Sequence, residues 1–137
     1  MFKLIQIKGA RTNVPEPTFY DIDGKTAYLA GAMYFIGEGK ISNEPASDID
    51  LRFIPLETVK ANSGKTKICG YIVTENMVFE TDIYNDLASA KIGNVLLGYT
   101  DSDGNIVGVD SESGYDAMLL DKTNAKNTNK VLVALKW

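Results

Sequence analysis

Histidine is absent from this 137-residue chain, and the absence excludes a good deal of chemistry. It removes Ser-His-Asp and Cys-His nucleophile arrangements. It removes histidine-ligated zinc sites, and the single cysteine removes thiolate-ligated ones. One cysteine also means that no intrachain disulfide can form. Cys69 lies in the apolar run Ile68-Cys69-Gly70-Tyr71-Ile72-Val73, where it reads as a small buried hydrophobe. A reactive thiol would want a neighbouring base or cationic pocket. Apolar runs long enough to cross a membrane as a helix are missing too. The opening Met1-Phe2-Lys3-Leu4-Ile5-Gln6-Ile7-Lys8 is too short and too polar for a signal peptide, so the expectation is a protein made inside a cell and kept there at least at first. Carboxylate, lysine or tyrosine chemistry would need tertiary structure to assemble it. No catalytic residue, metal ligand or cofactor is expected.

What is present is ordinary for a soluble domain: 45% apolar and 23% charged residues, in a length that suits one domain. The net charge of −4 is unevenly spread. Residues 1–17 carry Lys3, Lys8 and Arg11 against Glu16, and the remaining 120 residues sum to −6. An acidic body is a poor nucleic-acid binder, because phosphate contacts need clustered lysine and arginine.

The chain is patterned in short strands. Phe2-Lys3-Leu4-Ile5-Gln6-Ile7-Lys8 suits an extended strand, and the following Val14-Pro15-Glu16-Pro17 forbids helix and favours a stiff, extended segment. Residues 1–17 read either as an arm that leaves the body or as an edge strand plus loop, with residues 18–137 as a single β-domain. Ala32 to Ile36 and Lys40 to Ser42 flank Gly37-Glu38-Gly39 as a hairpin. Leu51 to Leu56 is a strand that Pro55 ends or places at an edge. Ile68 to Thr74 reads as a buried strand after the turn Asn62 to Lys65. In Met77 to Ile83, residues Met77, Phe79, Thr81 and Ile83 share a face. Val95 to Tyr99 and Ile106 to Val109 flank the turn Asp101 to Asn105. Tyr115 to Leu120 and Val131 to Trp137 are the last strands, separated by the polar loop 124–129. Only Asp86 to Ile92 is compatible with a short helix, stopped by Gly93-Asn94. The expected fold is all-β: a small β-barrel or β-sandwich of about eight short strands, with at most one short helix.

Two motif-like stretches fail on chemistry. Asp101-Ser102-Asp103-Gly104-Asn105 opens like a calcium loop, with Glu112 at its twelfth position. The sixth position needs glycine and holds Ile106, and a hairpin turn explains the same residues. Gly64-Lys65-Thr66 resembles the end of a phosphate-binding loop. The first glycine of that motif would fall at Val59, and a strand is expected to follow where the motif needs a helix. The aromatics are spread through the chain as cross-strand and core pairs would be.

The order of signals resembles a known family. Gly31 to Ile36 with Gly39-Lys40-Ile41 comes first. Gly70 to Thr81 follows, leading to Ala90-Lys91-Ile92-Gly93-Asn94. The glycine hairpin Asp103-Gly104-Asn105 with Val107-Gly108-Val109 and the terminal Lys130-Val131-Leu132-Val133 complete it. This pattern is similar to small decoration, or head cement, proteins on the outside of tailed-phage capsids, and the opening 2–17 also resembles theirs. The resemblance implies a non-enzymatic virion protein, assembled in the host cytoplasm, that binds the major capsid protein and stabilises the head. It also implies copies that contact one another, and no nucleic-acid or membrane partner. The expected contact segment is the arm: Phe2, Leu4, Ile5 and Ile7 as apolar groups, Lys3, Lys8 and Arg11 as charges, and Val14, Pro15 and Pro17 as the stiff part, adding a strand to a capsid edge. Many copies on a symmetric lattice would strengthen weak single contacts. The alternatives are another virion β-domain, of tail or baseplate, and a barrel module that binds a small ligand or sugar.

Overall fold

β-branched and aromatic residues in short runs, punctuated by glycine, asparagine and aspartate, leave the backbone little choice but extended strands and tight turns. The computed structural model describes residues 1–9, 17–45, 47, 50–122 and 130–135. Among them the chain forms twelve strands and no helix: β1 (Phe2–Ile7), β2 (Thr18–Asp21), β3 (Tyr34–Gly37), β4 (Lys40–Ser42), β5 (Leu51–Pro55), β6 (Lys67–Ile72), β7 (Met77–Thr81), β8 (Tyr84–Asn85), β9 (Val95–Thr100), β10 (Ile106–Ser113), β11 (Ala117–Asp121) and β12 (Val131–Leu135). They make a seven-stranded sheet in the order β1-β7-β12-β11-β9-β10-β8 and a five-stranded sheet in the order β2-β6-β5-β3-β4. The all-β class is as expected, with twelve strands in place of about eight.

The two sheets meet at an antiparallel bridge between Met33 and Ile106, where the Met33 N–H donates to the Ile106 carbonyl at 2.8 Å. On one side of the five-stranded sheet lies the main core. Phe79, Leu96, Leu119 and Val133 of the larger sheet meet Phe35 and Ile54 of the smaller one there. Tyr34, Ile36, Phe53 and Ile68 belong to a second core with Tyr28, Val59 and Val107. Successive side chains of a strand point to opposite faces. That is why Tyr34-Phe35-Ile36 is apolar without a break: both faces of β3 are covered.

The β3–β4 hairpin closes through Gly37↔Lys40, with Glu38 at φ 52° and Gly39 at φ 76°. Two positive φ values define the turn whose twist matches the strands. Gly39 supplies the second as expected, but the first falls on Glu38, which has a Cβ. β5 ends at Pro55, and β12, though late in the chain, sits in the middle of its sheet between β7 and β11.

One open choice is decided and two expectations are corrected. Of the two readings of the N-terminal segment, residues 2–7 take the edge strand and not the arm. They form β1, an edge strand antiparallel to β7, with Phe2 opposite Thr81 and Ile7 opposite Met77. The reason is burial: Phe2 is only 4% exposed in the main core, and Leu4 and Ile7 pack against it. A register shift between Leu4 and Gln6 adds a residue. That lets Leu4 and Ile7, three positions apart, both reach the core despite the two-residue period of a strand. The helix-compatible stretch from Asp86 forms turns. Asp86 has φ 42°, outside helical space, and the carbonyls of Leu87, Ala88 and Ala90 accept from the Lys122 ammonium. Cys69 is half-buried, not buried, and lies opposite the exposed Phe19. The polar loop 124–129 lies outside the described residues.

Phe2→Ala removes a core side chain from the N-terminal strand and is expected to lower unfolding free energy by about 3–5 kcal/mol in urea titrations. A loss near zero would mean that β1 is dispensable. Glu38→Asn, which places a residue tolerant of positive φ in the hairpin, is expected to raise stability by up to about 1 kcal/mol by the same measurement.

Candidate functional site

β9 carries apolar side chains on both of its faces. Leu96 points into the main core, whereas Val95, Leu97 and Tyr99 point outward and are 38% to 41% exposed. Their neighbour on the outer face is Met118 of β11, directly opposite Val95. The turn between β10 and β11 adds Tyr115, which is 76% exposed. That turn is tied down by backbone bonds: the Gly114 N–H donates to the Val95 carbonyl and the Asp116 N–H to the Leu96 carbonyl, both at 3.1 Å. The Asp116 carboxylate accepts from the Gly98 N–H at 2.7 Å. A Cβ on Gly98 would lie 2.5 Å from Ile106 Cγ2 and 3.2 Å from Asp116 Oδ2, so the strand and the turn can close only on a glycine.

Beside this face opens a cleft of about 390 Å³ between the 43–45 segment, β9 and the 114–116 turn. Leu97 and Tyr115 line it together with Phe35 and Arg52. Arg52 is 4% exposed, its guanidinium lies 4.9 Å from the Phe35 ring centre, and its Nη1 donates to the Asp50 carbonyl at 2.7 Å. A cation over a ring face in a desolvated position is a favourable electrostatic contact. It anchors β5 against β3 and puts an apolar ring and a cation side by side in the cleft.

A second cleft, of about 450 Å³, shares Asn43 with the first and is lined by Tyr28, Tyr34, Asp103 and Asn105. A hydrogen-bond chain runs along it. The Leu29 N–H donates to the Tyr34 hydroxyl at 2.9 Å, which donates to Asn105 Oδ1 at 2.8 Å. The Asn105 amide donates to Asp101 Oδ2, and Asp101 Oδ1 accepts from the N–H groups of Asp103 and Asn105. The calcium-like stretch is therefore a turn whose leading carboxylate is turned into its own backbone. Among the described residues no group of three or more cysteines, aspartates or glutamates is gathered to hold a metal. Gly64-Lys65-Thr66 leads into β6, and the Lys65 ammonium pairs with Glu57 at 2.7 Å.

The residues expected to contact a partner are distributed differently. Phe2, Leu4 and Ile7 face the protein's own core, Ile5 is half-buried at the register shift, and Lys3 and Lys8 are exposed. Pro17 is exposed just before β2, and Arg11, Val14 and Pro15 lie outside the described residues. The apolar half of the expected contact segment is thus used internally. The outward face of β9 was not anticipated from sequence. Its signal was there: Val95 to Tyr99 is apolar at both odd and even positions, and residues 92–121 hold six carboxylates with no lysine or arginine. One of these, Asp110, is held below the usual carboxylate range by hydrogen bonds from the Asn85 amide and the Glu112 N–H.

Burial pushes the Tyr34 phenol up to about 12, helped by the Asp101 charge and opposed by the Leu29 N–H. A raised folded value stabilises the protein fully below the unfolded value near 10, and the contribution is lost as pH rises toward 12. Wild-type stability is expected to fall across that window more steeply than that of Tyr34→Phe, by on the order of 2 kcal/mol. Urea titrations between pH 9 and 12, checked by ultraviolet titration of the phenols, measure it. Parallel curves would remove Tyr34 from the alkaline response.

No family model matches this sequence, no curated protein matches it, and no solved structure matches its fold.

Proposed function

We propose that this chain is a non-enzymatic structural protein of a tailed-phage virion that docks on the outside of the capsid shell and stabilises the head. The observation that carries the docking half is the outward face of β9, where Val95, Leu97 and Tyr99 stand in a row on a hydrogen-bonded sheet. Contiguous exposed apolar groups rimmed by polar ones mark protein contact surfaces. Aromatic residues and methionine are enriched in the cores of such surfaces. A sheet holds them in place, so little ordering cost is added on binding.

The capsid half rests on the resemblance of the glycine and strand order to decoration proteins. A chain without histidine, whose strength lies in two packed sheets, suits a mechanical part repeated over a lattice. Repetition would let a modest single contact hold.

The sugar-binding alternative finds less support. The cleft beside Tyr28 and Tyr34 has room for a small ligand, but the two rings pack edge to face, with centres 5.2 Å apart and planes at 73°. Tyr28 is buried as well. Neither ring offers an open face.

Purified protein is expected to co-sediment with empty mature tailed-phage shells that lack it, saturating at a fixed number of copies per capsid subunit. Binding to tail assemblies or to a soluble ligand, with none to shells, would overturn the proposal.

A further inference from the structure

We infer that residues 86–92 form a strap over the main core that opens as a unit, and that the Lys122 ammonium is the latch that holds it closed. Such a device is independent of the proposed function and can be tested without a partner. The strap puts little of itself into the fold. Leu87 and Ala90 are each 5% exposed and belong to the main core, whereas the other residues of 86–92 are exposed. It is bounded by two residues at positive φ, Asp86 at 42° and Gly93 at 90°. Outside those bounds the chain is fixed. Tyr84 and Asn85 pair with Val109 and Asp110 of β10. The Gly93 N–H donates to the Leu119 carbonyl at 2.8 Å, and the Asn94 carbonyl accepts from the Leu119 N–H at 2.9 Å. Hinges are a few such residues at the ends of fixed elements, which absorb the change in φ and ψ.

Between the hinges the strap bonds to itself. The Ala90 N–H donates to the Leu87 carbonyl at 3.2 Å, and the Lys91 N–H donates to Asn94 Oδ1 at 2.9 Å. The tie across to the end of β11 is Lys122, a half-buried side chain one residue past that strand. Its ammonium donates to the carbonyls of Leu87 at 3.4 Å, Ala88 at 3.3 Å and Ala90. A lysine ammonium carries three N–H donors and no acceptor, so three converging carbonyls match it in number. Bonds from a charged donor are stronger than neutral ones. Two apolar side chains and one ammonium therefore hold the strap, whereas the strands beside it are held by continuous ladders. Segments that move are drawn from this weakly held end of a structure. Opening adds Leu87 to the already exposed Ile92 and leaves the pairing of both sheets intact. It is a way to present an apolar segment without unfolding the domain.

The experiment is amide hydrogen exchange on the full chain at rising urea, below the unfolding transition. In wild type the Ala90 and Lys91 amides are expected to exchange at rates nearly independent of urea, because a local opening exposes little new surface. Amides of β7 and β12, in the interior of the large sheet, are expected to follow urea steeply, as global unfolding does. Lys122→Met keeps the apolar stem and removes the ammonium. It is expected to speed exchange of the Ala90 and Lys91 amides by at least about tenfold. Amides of β7 and β12 are expected to change by less than about threefold. Lys91→Met, which removes an exposed cation from the strap itself, is expected to exchange like wild type. Wild-type strap amides that track urea as β7 does would show that 86–92 opens only with the whole fold, and the inference would be overturned. Equal acceleration at every site in Lys122→Met, or none in the strap, would overturn it as well. If Lys122→Met does not fold, the wild-type urea dependence still decides between a strap and a part of the cooperative core.

Discussion

The seam between the two sheets is where the rest of this molecule is decided. At Met33 and Ile106 a backbone bridge joins the strand entering the small sheet to the strand opening β10 of the large one. One residue further along each strand, Tyr34 points to one side and Val107 to the same second core. Tyr34 then ties two connections together through its hydroxyl, accepting from Leu29 ahead of β3 and donating to Asn105 in the β9–β10 turn. A buried phenol must satisfy its hydroxyl, because an unpaired polar group in an apolar setting costs about 1–3 kcal/mol. The turn is consequently fixed in place by a core residue, and Asp101 folds its carboxylate inward to complete the same network.

That seam also shapes the surface. Because the β9–β10 turn is pinned, β9 is held with Leu96 in the core and its alternate residues outward. The 114–116 turn closes over Gly98, which leaves Tyr115 at the rim and the buried Arg52–Phe35 pair beneath the adjoining cleft. An exposed apolar row would be a liability for self-association in a flat strand. Here it lies on the face of the sheet, not along an open edge.

The N-terminal strand shows how weak a guide local pattern is to the company a segment keeps. Lys3, Lys8 and Arg11 distinguish residues 1–17 from an acidic body, which suggests a segment with an external partner. In the fold, β7 supplies the partner strand and the main core takes Phe2. Charge contrast was a poor criterion because exposed lysines cost little on an edge strand, where they also discourage unwanted pairing.

Strand composition, turn placement and the all-β class were legible in the residues alone, because period-two patterning, β-branched runs and glycine at positive φ are local physics. The β3–β4 and β9–β10 hairpins followed from the same rules, as did the end of β5 at Pro55. The number of strands, their order in two sheets and the fate of residues 2–7 were not legible, because pairing depends on which distant apolar faces meet. The same holds for Asp86 to Ile92, where helix-compatible residues form turns whose carbonyls accept from Lys122, thirty or so positions away. The outward row of β9 was written in Val95 to Tyr99, but a strand apolar on both faces reads equally well as one buried on both, as β3 is. Only the tertiary structure decides between them, since it alone says whether a second layer lies over the outer face.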